Sequence, residues 1–152
     1  MEVQTRGFKR SSKVKRVDGC RCVIEHTELA TGTRHHAVYI NLLDHVVSGE
    51  ARGEPYEGQV AVAAVILNRM KDPRFPHSIP AIIYAPGAFT CVSDGQINVP
   101  PDPSVKKAVN AAIHGWDPTM GAVYYFDPAT ATSKWIWSRP EILKIGHHIF
   151  CR

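Results

Sequence analysis

The sequence predicts an α+β domain, mainly helical with a small antiparallel sheet, and three observations point there. Apolar residues recur with a helical period over Tyr39–Gly49 and again over Tyr56–Met70. A third helical stretch, carried by Val105, Ala108, Val109 and Ala112, is framed by Asp102-Pro103 before it and Gly115 after it. Beyond Gly121 the pattern changes to short runs rich in Val, Tyr and Trp, the first stopped by Asp127-Pro128, which read as extended pieces. With 152 residues and 44% hydrophobic content, the chain can bury one core and is too short for two ordinary domains.

Each element has its own justification. Residues 1–36 carry eight Lys/Arg against four acids, while residues 37–152 carry ten of each, so the whole positive excess is N-terminal. That segment is basic and poor in periodicity and is read as irregular or disordered, with the domain occupying residues 37–152. Its one aromatic, Phe8, gives no series of rings on which bases could stack, which argues against a nucleic-acid partner. The first helix runs from Tyr39 to Gly49, where Gly49, Gly53 and Pro55 break the pattern. In the second, Val60, Ala63, Ala64 and Leu67 mark one face and Val62, Val65 and Ile66 broaden it, as in a central helix buried on most sides. Ser78–Tyr84 is a short helix or extended piece. Asp102 caps the third long helix, with Pro103 at its first position. Gly121–Phe126 reads as a strand, Trp135–Trp137 as a second extended piece, and Ile145–Cys151 closes the chain against that sheet.

Chemistry concentrates at Glu50, which falls where the first helix runs out. Unsatisfied carbonyls at a helix C-terminus disfavour an ionised carboxyl, a setting that suits an acid. Glu57, in the first turn of the next helix, has the opposite setting. Glu54 is an alternative acid, but Gly53 and Pro55 interrupt the helix beside it, so a structural role with Arg52 as its neutralising partner is expected. Asp44 and His45 interrupt the apolar face of the first helix, and a buried unpaired charge there costs several kcal/mol. Cys20, Cys22, Cys91 and Cys151 have no zinc-like spacing, and the pairs His35/His36 and His147/His148 cannot easily direct two ligands to one ion from regular structure. No metal or other cofactor is expected. Free thiols are the default, with a disulfide left open for an oxidising setting.

The run GEARGEPYEGQVAVAAVILNR (Gly49–Arg69), Phe75-Pro76, IYAPGAFTCVSDGQIN (Ile83–Asn98), GWDPT, YYF and ATATSKWIWSRP closely resembles the catalytic domain of the SleB-type spore cortex-lytic enzymes, within the wider SleB/CwlJ group of cell wall hydrolases. The likeness covers residues 42–152, with its blocks in the same order. It implies a lysozyme-like, lytic transglycosylase-like domain. The implied activity is cleavage of peptidoglycan glycan strands between N-acetylmuramic acid and N-acetylglucosamine during germination, with Glu50 as the acid. The implied partner is the spore cortex glycan, the implied location the spore cortex, coat or cell wall, and the implied state a monomer, with an activating protein partner left open. The family usually places a leader and a peptidoglycan-binding repeat before this domain. Met1–Gly19 shows no apolar run suited to a signal peptide, and no transmembrane segment is visible. A protein deposited on the forming spore from the mother cell, a gene start lying elsewhere, and a degraded copy all fit that pattern.

A glycan-cleaving site needs a groove with two walls. The loop Ala88–Asn98 is the expected wall opposite Glu50: Phe89 offers a stacking surface, Thr90, Ser93, Gln96 and Asn98 offer hydrogen bonds, and Asp94 is the only further acid there. Tyr124, Tyr125, Trp135 and Trp137 are the aromatic candidates for packing on pyranose faces. If Asp94 reaches the sugar, a two-carboxylate glycosidase mechanism is open; if it does not, Glu50 serves as both acid and base and the product is an anhydro sugar. Two other readings stand beside this one: a non-catalytic wall-binding or spore-coat protein, and a metal-dependent peptidoglycan amidase or peptidase using the histidines.

Overall fold

A computed structural model describes residues 29–152, with side chains from His36 onward. The earlier part of the basic segment, with Cys20 and Cys22, lies outside the described residues. The elements run in the order α1 (Leu29–Glu50), α2 (Tyr56–Lys71), α3 (Ile79–Ile83), α4 (Thr90–Ser93), a 3-10 turn (Gln96–Asn98), α5 (Pro103–Ile113), β1 (Tyr124–Phe126), α6 (Lys134–Trp137), β2 (Glu141–Ile145) and β3 (His148–Cys151).

The central element is α2, buried from Gly58 through Ile66 and again at Arg69. Its apolar residues go all the way round because α1, α3, α5 and the sheet pack on different sides of it. Each Val or Ile fully buried there contributes about 1.5–3 kcal/mol. α5 lies on α2 through Val105, Ala108, Val109 and Ala112, the expected stripe, and the Asp102 carboxylate accepts the Ser104 amide at 2.8 Å as its N-cap. The sheet has the order β1-β3-β2, all antiparallel, with Tyr125 opposite Phe150. β2 and β3 are joined by the Gly146-His147 turn, where Gly146 has φ 58° as the first residue of a tight hairpin requires.

Two elements depart from the sequence reading. α1 begins at Leu29, inside the stretch read as irregular, rather than at Tyr39. Thr31 and Gly32 hide the helical signal there, but a helix whose C-terminal half is already packed extends one residue at a time without a new nucleus. Trp135–Trp137, read as extended, forms the helical turn α6. Ser138 and Arg139 donate their amides to Trp135 O and Ile136 O at 3.1 Å each, and the Ser138 hydroxyl bonds Trp135 O at 2.7 Å. The turn sets Trp135 edge-on to Tyr124 (ring centroids 5.1 Å apart) and Trp137 edge-on to Phe126 (4.8 Å), so tertiary ring contacts override the local β preference.

Candidate active site

Glu50 is the last residue of α1, as the breakers after it implied. Its carboxylate is held by two donors from distant parts of the chain. The Cys91 amide, in the first turn of α4 and so without an intrahelical acceptor, donates to Oε1 at 2.7 Å. The Tyr125 hydroxyl, from the middle of β1, donates to Oε2 at 3.1 Å. Gly49 makes the first contact feasible: a Cβ there would lie 2.5 Å from Cys91 Cβ, so any side chain would push α4 away from α1. The His45 ring adds a second tie between α1 and this loop, its Nδ1 donating to Ile97 O at 2.8 Å.

Tyr125 is braced by the rings of His148 and Phe150, with centroids 5.0 and 5.9 Å away. Burial, reinforced by the Glu50 charge, pushes its phenol well above the ordinary value, so it stays a neutral hydroxyl. A hydroxyl can donate to a carboxylate oxygen or to the carbonyl oxygen of a carboxylic acid, so this partner fits both protonation states of Glu50.

From Tyr125 the site opens into a cavity of about 310 Å³ lined by Arg69, Phe75, Tyr124, Tyr125, Trp135 and Ile136. Of the expected aromatic residues, Tyr124, Tyr125 and Trp135 meet there, with Trp135 half exposed at 51%. Sequence reasoning missed Arg69. It is 8% exposed, donates Nε–H to Val123 O at 2.7 Å, and lies over the rings of Phe75 and Phe89 (5.2 Å each) and Tyr124 (5.7 Å). Burial lowers its pKa, opposed by the nearby Tyr125, Tyr124 and Glu50. The signal available for it was an arginine two residues beyond the unbroken apolar run Val60–Leu67 of a helix expected to be buried on most sides.

The loop expected to form the opposite wall is arranged differently. Phe89 is 3% exposed, packed under Arg69 and into the core, so it offers no stacking surface to a ligand. Thr90, Asp94, Gln96 and Asn98 are exposed but do not line the cavity. Both Asp94 oxygens are engaged within the loop, accepting the Gln96 amide and the Gln96 Nε2, each at 2.9 Å. Asn98 Nδ2 likewise bonds back to Gly95 O at 3.3 Å.

Glu54 is structural, but its partner is His147 and not Arg52. Oε2 accepts the His147 amide at 3.0 Å and Oε1 pairs with His147 Nδ1 at 2.8 Å, tying the start of α2 to the β2–β3 hairpin. Asp44 is buried at 6% exposure with Oδ1 lacking a hydrogen-bond partner, and burial raises its pKa against the opposing charges of Lys106 and His45. Cys91 and Cys151 are buried free thiols. Among the described residues, no three His, Cys, Asp or Glu side chains gather as a metal-ligand set, and no helix is long and apolar enough to cross a membrane.

A mainly helical domain whose long first helix ends in a carboxylate, bonded to a tyrosine of a small antiparallel sheet that lines a groove, has the lysozyme-like arrangement. Residues 53–151 match the family model described as Cell Wall Hydrolase, and the chain belongs to that family. It is 61% identical over 113 residues to the spore cortex-lytic enzyme of Bacillus cereus, covering 74% of this chain and 44% of that protein. Against the spore cortex-lytic enzyme of Bacillus subtilis (strain 168) it is 61% identical over 112 residues, covering 74% and 37%. The chain therefore spans less than half the length of these relatives. Among solved structures it is similar to the catalytic domain of the Bacillus cereus SleB protein, with TM-score 0.71, 60% identity, and 75% of this chain and 89% of that one covered. The catalytic domain of the germination-specific lytic transglycosylase SleB from Bacillus anthracis matches with TM-score 0.72 and 60% identity, covering 75% and 93%.

Proposed function

We propose that this domain cleaves peptidoglycan glycan strands of the spore cortex between N-acetylmuramic acid and N-acetylglucosamine, as a lytic transglycosylase with Glu50 as acid and base. The observation that carries this reading is the Glu50 carboxylate, held by the Cys91 amide and by the hydroxyl of Tyr125, a residue that lines an aromatic groove. The names of its relatives and structural neighbours support the substrate and the reaction.

In this mechanism Glu50 gives its proton to the glycosidic oxygen as the bond from muramyl C1 breaks. The muramyl C6 hydroxyl then closes on C1, and its proton returns to the Glu50 carboxylate. No water is consumed, and the product ends in a 1,6-anhydro ring. The Tyr125 hydroxyl donates to Oε2 before the first transfer and after it, which leaves the single acidic proton to the glycosidic oxygen and keeps the carboxyl in one orientation through both steps. Asp94 supports the single-carboxylate route, because both of its oxygens are committed to Gln96.

The test is mass spectrometry of fragments released from purified spore cortex by the parent protein and by Glu50→Gln. Anhydro-muramyl ends from the parent alone are the expected result. Reducing muramyl ends would replace transglycosylation with hydrolysis, and activity abolished by chelator would point to an amidase. Binding to cortex without release would leave a wall-binding protein.

A further inference from the structure

We propose that Arg69 recognises the carboxyl-derived oxygen of the lactyl substituent on a muramyl residue and so makes the groove select muramyl over glucosaminyl units. The inference rests on the glycan-strand reading above and names the group that sets its specificity.

Arg69 is a cation at 8% exposure that lines the groove, yet among the described residues no carboxylate forms an ion pair with it. Removing a charge from water without a hydrogen-bonded counter-charge is costly, and the faces of Phe75, Phe89 and Tyr124 recover only part of that cost. Its Nε is committed to Val123 O, but a guanidinium has five N–H donors in a planar fork, a shape that matches a carboxyl group. Its groove neighbour Tyr125 is the residue that bonds Glu50.

A glycan strand offers hydroxyls and N-acetyl carbonyls on every ring, but a carboxyl-derived group only on muramyl rings. That substituent is borne by C3 of the ring whose C1 is attacked, so an arginine beside the Glu50 partner stands where the distinction between the two sugars has to be made. Were Arg69 purely structural, clamping α2 to the residue before β1, its loss would weaken binding of every glycan equally.

The experiment is calorimetric binding of three tetrasaccharides to the full chain carrying Glu50→Gln: an all-N-acetylglucosamine chain, an alternating glucosaminyl–muramyl chain with free lactyl groups, and its lactyl methyl ester. Charge-assisted recognition predicts that the muramyl chain binds roughly tenfold or more tighter than the glucosaminyl chain. Adding Arg69→Met should bring that ratio near one, and Arg69→Lys, which keeps the charge and loses the fork, should leave an intermediate ratio. The ester separates the two sources of the acceptor oxygen: tight binding of the acid alone assigns a carboxylate, and equal binding of both assigns a carbonyl oxygen. Equal affinity for glucosaminyl and muramyl chains with Arg69 present overturns the proposal, a result that does not depend on any Arg69 variant folding. Retention of the ratio in a folded Arg69→Met overturns it as well. Selective binding by a protein that releases no cortex fragments would uphold this inference while removing the cleavage reading.

Discussion

The Tyr125 hydroxyl meets Glu50 Oε2 at 3.1 Å across 75 residues of sequence, joining the end of the first helix to the first strand. The bond orients the proposed acid without itself contacting the scissile oxygen. A hydrogen bond to a charged group is worth about 1.5–3 kcal/mol, so Tyr125→Phe should lower kcat roughly ten- to a hundredfold. KM should change little, because the ring and its packing on Phe150 remain. Steady-state kinetics on soluble cortex fragments would check this, and an unchanged kcat would remove Tyr125 from the mechanism.

Gly49 is constrained by contact and not by backbone angle. Its missing side chain lets Cys91 approach closely enough to place an amide on Glu50 Oε1. Gly49→Ala should improve local helix propensity by about 1 kcal/mol, yet the overlap with Cys91 must move α4 and cost more than that gain. The expected outcome is a lower unfolding midpoint in urea together with a larger loss of activity than the stability change explains.

Cys91 itself serves through its backbone. Burial and the Glu50 charge push its thiol up to about 12, so at pH 8 roughly one thiol in ten thousand is the reactive thiolate. Peptide mapping after iodoacetamide treatment at that pH should find Cys91 unmodified in the folded protein and modified after denaturation. Cys91→Ala keeps the amide and should retain activity within a few-fold, with a stability loss of about 1 kcal/mol.

What the sequence disclosed and what it concealed divide along contact distance. The end of α1 at Glu50, the burial of α2 and the Asp102 cap of α5 were legible because breakers, periodicity and capping act within a turn or two of chain. Phe89 was misread because the residue covering it, Arg69, belongs to another helix. Glu54 was assigned to its near neighbour Arg52, whereas its partner His147 lies 93 residues away in a hairpin turn. The helical turn at Trp135 follows from rings on β1 that local propensity does not register.

Asp44 supplies the pH-dependent test. Its folded-state pKa is raised, first by burial, so the folded chain holds this proton more tightly than the unfolded chain does. Its contribution to stability is therefore fully present below the ordinary value of 3.8 and is lost as pH climbs from there through the raised folded value. Once ionised, the group is buried with Oδ1 unpartnered, a cost of about 1–3 kcal/mol that Lys106 and His45 partly offset. Asp44→Ala removes that group and places a strong helix former inside α1, so it should raise the urea midpoint at pH 7. Repeating the measurement down to about pH 4 should narrow the difference between variant and parent. A difference that stays constant across that range would mean that Asp44 keeps the same charge throughout and that the helix-propensity gain accounts for the whole effect.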